Sequence, residues 1–88
     1  METVKINGVE MSVAAAEFAE ETASDPRADA CQLVEGGCSN EWFLDECLKG
    51  ADDDRIDGAH EYYHAVAALA DRIRERAENA RLDAIARN

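Results

Sequence analysis

"AHEYYHAVAALADRIRERAENARLDAIARN", residues 59–88, runs to the end of the chain without a glycine or a proline. Within it Tyr62, Val66, Leu69, Ile73, Ala77, Ala80 and Ala84 recur at intervals of three or four, the apolar seam of one continuous α-helix. At about 1.5 Å per residue such a helix is roughly 45 Å long, whereas a globule of this chain length has a radius of gyration of only about 12 Å. The helix therefore outreaches its own domain, and its far end must kink, fray or lie against another molecule. A second copy of the same helix is the simplest cover, which makes Tyr62, Val66, Leu69, Ile73, Ala77 and Ala80 the candidate dimerisation residues. The late seam is alanine, which permits close approach but contributes little burial, so fraying is the competing expectation.

The preceding residues divide into short elements. In "TVKINGVEM", Val4 and Ile6, then Val9 and Met11, alternate around Asn7-Gly8, the favoured two-residue hairpin turn; the hairpin is expected over residues 1–11. An isolated hairpin is marginal in water, so its apolar face must lie on helices or pair with another chain. Ser12 reads as the cap of a helix ending near Ala23, with Ala14, Ala15, Phe18 and Thr22 inward and Glu17, Glu20 and Glu21 outward. Asp25 and Pro26 open a second helix, with Cys31 and Val34 on its inner edge and Gly36-Gly37 as its stop. Ser39 or Asn40 caps a third, in which Phe43, Leu44, Cys47 and Leu48 share a face and Trp42 falls to one side. "ADDDRIDG", residues 51–58, reads as an acidic linker to the long helix. The expected fold is one small α+β domain over residues 1–88: mainly α, a hairpin, three short helices and one long C-terminal helix.

Charge is distributed unevenly. Residues 1–54 hold fourteen Asp/Glu against three Lys/Arg, a net of −11, while residues 55–88 hold six of each. Such a surface is repelled by phosphate, so direct binding to nucleic acid or to an anionic membrane is not expected. It is attracted to a basic surface, although solubility alone also accounts for acidity. No apolar run approaches the roughly 20 residues needed to cross a bilayer, and the opening residues lack the pattern of a secretory leader. Three cysteines without Cys-x-x-Cys spacing argue for reduced thiols, and the expected location is cytoplasmic.

Three motifs bear on chemistry. "HEYYH", residues 60–64, resembles the zinc-binding helix of the zincin metallopeptidases over these few residues. One face of a helix would carry His60 and His64 as ligands and Glu61 as base. A third ligand is lacking: Asp71 lies about two turns past His64 and Glu78 about 21 Å along the axis. "DDRIDGAHEYYH", residues 53–64, can be laid on a calcium-binding EF-hand loop, but Arg55 and His64 stand where oxygen ligands belong. A structural zinc on Cys38, Cys47, His60 and His64 is a third option, without the close cysteine pair such sites use. No phosphate-cradling loop or activated nucleophile is visible, so neither an enzymatic activity nor a cofactor is expected, and no metal ligand is assigned.

The acidic residues remain. Glu17, Glu20, Glu21, Asp25, Asp29, Asp45, Glu46, Asp52, Asp53 and Asp54, with Trp42 as an aromatic anchor, are the candidate partner-binding set. With the opening "INGVEMSVAAAEFAEE", these carboxylates give the chain a style similar to small acidic phage-encoded inhibitors of bacterial defence, including anti-CRISPR proteins and DNA mimics. That resemblance is one of size, charge and helicity, with no shared motif. It implies a non-catalytic inhibitor acting in the cytoplasm of a host bacterium on a protein partner with a basic surface, such as a CRISPR effector or another nucleic-acid-handling complex. The alternatives are an assembly protein dimerising through its last helix and a zinc-binding protein using His60 and His64.

Overall fold

The computed structural model describes residues 2–51 and 56–87. Strands β1 (Thr3–Ile6) and β2 (Val9–Ser12) lead into helices α1 (Val13–Glu21), α2 (Pro26–Glu35), α3 (Asn40–Lys49) and α4 (Ile56–Arg87). The expected mainly helical α+β architecture with a long C-terminal helix is the one observed.

The hairpin is antiparallel, with Ile6 opposite Val9 and Thr3 opposite Ser12. Its turn places Asn7 at φ 51° and Gly8 at φ 82°, the left-handed pair a type I′ turn requires. Val9 and Met11 are buried against the helices and Ile6 is half-buried beside them, whereas Val4 remains exposed, so the chain covers the β2 part of the sheet's apolar face. The turn is also tied to α2, because Arg27 Nε donates to the Asn7 carbonyl.

Each helix start follows from its cap. Ser12 Oγ accepts from Ala15 N at 3.2 Å, Asp25 Oδ1 from Arg27 N at 3.0 Å and Ser39 Oγ from Trp42 N at 3.1 Å. Helix α1 stops in a Schellman turn: Ser24 N donates to Ala19 O at 2.8 Å and Ala23 N to Glu20 O at 3.2 Å. Ala23 occupies the left-handed position of that turn, with φ 53°, where glycine is the unstrained residue.

Helix α4 is the surface on which the others assemble, and α1, α2, α3 and β2 all pack on it. The core is made mostly of small side chains, Ala15, Ala16, Ala19, Ala30 and Ala70, around Tyr62, Val66, Leu33 and Met11. Small residues let the helix axes approach closely. A Cβ at Gly58 would stand 2.8 Å from the Ala14 carbonyl oxygen and 3.2 Å from Phe18 Cβ. The molecule measures 53 × 26 × 21 Å, and a helix of 32 residues, about 48 Å long, accounts for the first dimension. Residues 75–86 of α4 are exposed, so the helix does outreach the domain.

Several expectations are corrected. Helix α4 begins at Ile56, inside the supposed linker 51–58, so Gly58 is a packed helical residue. Helix α1 buries Ala15, Ala16 and Ala19, leaving Ala14 exposed, and Thr22 is its C-cap. A run of consecutive alanines carries no phase, and Phe18 lies beside the contact, half-buried on the tyrosines. Helix α2 buries Pro26, Ala30 and Leu33, with Cys31 exposed, a one-residue rotation from the expected edge. The α3 stripe Phe43, Leu44, Cys47 and Leu48 is only half-buried.

Two substitutions of opposite sign test this packing by urea unfolding. Gly58→Ala would ordinarily gain about 1 kcal/mol in a helix; here it drives a methyl into the α1 backbone and is expected to destabilise by about 1–3 kcal/mol. Ala23→Gly relieves left-handed strain of about 1–2 kcal/mol against an unfolded-state entropy cost of about 0.4–1 kcal/mol, so a small net gain is expected.

Candidate functional site

Among the described residues the histidine pair gathers no further metal ligand. His60 and His64 lie with ring centroids 4.2 Å apart, tilted by 41°, on the exposed side of α4. Glu61, the residue a peptidase would use as base, instead accepts from Ser12 Oγ at 2.6 Å and ties the α1 cap to α4. Asp71 is engaged by Asn40 and Arg74, and Glu78 by Arg81. Among the described residues no group of three or more His, Cys, Asp or Glu side chains is arranged to hold a metal ion. Residues 53–55 of the EF-hand alignment lie outside the described residues, and residues 56–64, where the loop would continue through Gly58, are helical.

The proposed dimer seam is divided by the fold. Tyr62 and Val66 are completely buried in the chain's own core, and Leu69 and Ile73 are half-buried against it. Tyr62 and Val66 are therefore withdrawn from any intermolecular seam, because the chain's own elements cover them, while Leu69 and Ile73 keep part of their surface exposed. Ala77 and Ala80 remain exposed, in the stretch that also exposes Leu82 (51 %) and Ile85 (63 %).

The carboxylates separate into two kinds. Glu17, Glu20 and Glu21 are exposed on α1, as are Glu41, Asp45 and Glu46 on α3, with Glu46 in a loose 3.8 Å pair with Lys49. Asp25 and Asp29 serve the fold. Asp25 caps α2, and hydrogen bonding from the Asn7 side chain, then from the Arg27 and Ala28 amides, with the Arg27 charge, holds its carboxyl below the usual range despite some desolvation. Asp29 is half-buried, and its Oδ2 accepts from the Tyr62 hydroxyl at 2.5 Å. Asp52, Asp53 and Asp54 lie outside the described residues.

Trp42 is 55 % exposed, at the first turn of α3. It forms the lip of a cleft of about 370 Å³ between α2 and α3. Asp29 and Leu33 wall one side; Cys38, Phe43 and Cys47 wall the other, with Tyr63 of α4 among the lining residues. Phe18 and Phe43 each meet the Tyr63 ring edge-on at 5.6 Å, which fixes the aromatic lining. The α3 wall is held by a clamp from α4: Arg74 Nη1 donates to Asn40 Oδ1 and Nη2 to the Cys38 carbonyl, both at 2.7 Å. Asn40 Nδ2 in turn donates to Asp71 at 2.8 Å. Burial, then the charges of Asp29 and Glu46, raise the Cys47 thiol above its ordinary value; at neutral pH it is a protonated, weak nucleophile.

Sequence reasoning placed Trp42 and the α1 and α3 carboxylates at the surface but missed the cleft, the Tyr62–Asp29 bond and the Arg74 clamp. Their partners lie 33 to 36 residues apart, beyond any local pattern. The one available signal was a tyrosine in an otherwise aliphatic seam, since a buried hydroxyl needs a partner.

No protein-family model, no curated protein and no solved structure matches this chain.

Burial, and then the hydrogen bond to the Asp29 carboxylate, push the Tyr62 hydroxyl far above its ordinary value. In the unfolded chain it ionises near pH 10. Its contribution is therefore complete below about pH 10 and is lost as pH rises further, where the unfolded chain releases a proton that the fold retains. Chemical denaturation between pH 9 and 11 is expected to show stability falling, with Tyr62 supplying a slope of up to about 1.4 kcal/mol per pH unit. Tyr62→Phe is expected to flatten that slope and to cost about 1–3 kcal/mol at pH 7.

Proposed function

We propose that the protein is a non-catalytic binding protein whose acidic surface docks on a basic site of a protein partner. A nucleic-acid-handling complex, blocked in the manner of anti-CRISPR proteins and DNA mimics, is the partner class this charge suits. The observation that carries the reading is the availability of the carboxylates. Glu17, Glu20, Glu41 and Asp45 are exposed and enter no ion pair among the described residues. The arginines near the C-terminus are partly occupied within α4, Arg74 by Asp71 and Arg81 by Glu78. Residues 1–54 carry a net charge of −11, and these four exposed carboxylates are the part of it that no ion pair among the described residues neutralises. Such a field accelerates encounter with a lysine- and arginine-rich groove and competes there with phosphate.

A second reading is favoured by exposed Leu82 and Ile85, which stand three residues apart on the projecting end of α4. An assembly protein would cover them with another copy. Sedimentation distinguishes it: a native value of one chain, unchanged by Leu82→Asp with Ile85→Asp, sets this reading aside.

The primary reading is tested by capture from a nuclease-treated bacterial lysate, eluted across a salt gradient. The expected result is a nucleic-acid-handling complex released as salt rises and displaced by added duplex DNA. The triple substitution Glu17→Lys, Glu20→Lys and Glu21→Lys is expected to weaken capture by on the order of tenfold or more, with helicity by circular dichroism unchanged. Equal capture by both proteins rejects the assignment.

A further inference from the structure

We infer that the cleft between α2 and α3 receives one arginine side chain of the partner, stacked on Trp42 and paired with Asp29. This rests on the acidic-surface reading and narrows it from general attraction to a specific contact. The cleft, about 370 Å³ in volume, falls within the range of sites that enclose small groups. Its lining is of two kinds: Leu33, Phe43 and Tyr63 are apolar or aromatic, whereas Asp29, Gln32 and Ser24 present oxygens. Asp29 commits Oδ2 to Tyr62, while Oδ1 accepts no hydrogen bond among the described residues. The complement of that surface is a long apolar stem ending in a cation.

Arginine fits better than lysine for a geometric reason. A guanidinium is flat, stacks on an indole face and donates several N–H groups in its own plane, whereas an ammonium is a compact, strongly hydrated charge. Trp42 also borders a second depression, which it shares with Ser39, Glu41 and Asp45. The negative field therefore continues past the indole, and a basic segment is held on both sides of it. A neutral apolar segment would desolvate Asp29 without a partner, which is costly. A second copy of this chain would bring its own net charge of −11 against the same face.

Trp42 is the single tryptophan of the chain, so emission excited beyond the tyrosine absorption reports on the surroundings of this one side chain. The experiment titrates the full chain with hexa-arginine and hexa-lysine peptides at matched ionic strength, following fluorescence and, for variants without the indole, calorimetry. Hexa-arginine is expected to perturb the emission saturably and to bind about two- to fivefold more tightly than hexa-lysine, the range for stacking at a partly exposed site. Trp42→Ala, on a largely exposed side chain that the core does not need, is expected to abolish that preference, Trp42→Phe to retain part of it, and Asp29→Asn to reduce it. Equal affinity for the two peptides, or a preference that survives Trp42→Ala, overturns the assignment. If both peptides bind equally and the Glu17, Glu20 and Glu21 reversals abolish binding, the cleft assignment falls while the acidic-surface reading stands. If neither peptide binds, both fall.

Discussion

Tyr62 is the junction at which the short helices meet the long one. Its ring is wholly buried, it lies 5.5 Å from Phe18 of α1, and its hydroxyl reaches Asp29 of α2. In a core otherwise built largely from alanine, this side chain is among the largest completely buried ones, and it supplies volume that small residues cannot. Its hydroxyl adds a directional requirement, because a buried donor must find an acceptor. The carboxylate that answers it comes from α2, so this bond joins α2 to α4 beside the packing of Ala30 and Leu33. The neighbouring Tyr63 extends the same junction to Phe43 of α3.

Two further devices turn that junction into a shaped surface. The absent side chain at Gly58 lets α1 approach α4 closely enough for Ala15 and Ala19 to be excluded from water. Arg74, one turn beyond the last completely buried residue of α4, reaches back to the carbonyl before α3 and to Asn40. That clamp ties the start of α3, which carries Trp42 at the cleft, to α4. The capping role of Asp25 also shows that a carboxylate in an acidic segment can be committed to the fold itself. The outward set on α1 and α3 is smaller and better defined than the composition implies.

How much could be read from the sequence is seen in particular residues. The hairpin was legible because Asn7-Gly8 specifies its own backbone, and the helix starts because Ser12, Asp25 and Ser39 satisfy amide groups within three residues of themselves. Helix α4 was legible because nothing in residues 59–88 interrupts it. The buried faces of α1 and α2 were not, since four apolar residues in a row at Val13–Ala16, or Ala30-Cys31 beside Leu33-Val34, admit more than one rotation. His60 and His64 carried a motif without its third ligand, which only the positions of other elements could supply.

The sequence by itself determined the order and type of the secondary-structure elements, the excess of negative charge in its first three-fifths and the reach of the last helix beyond the domain. These are consequences of backbone sterics, nearby hydrogen bonds and counting. Only the tertiary structure decided which carboxylates remain free, which half of the apolar seam is consumed internally and that Trp42 borders a cleft. Those outcomes depend on pairs such as Tyr62 with Asp29 and Arg74 with Cys38, more than thirty residues apart. Such pairs form only when several helices close on a shared volume, a cooperative condition that no single stretch of chain encodes.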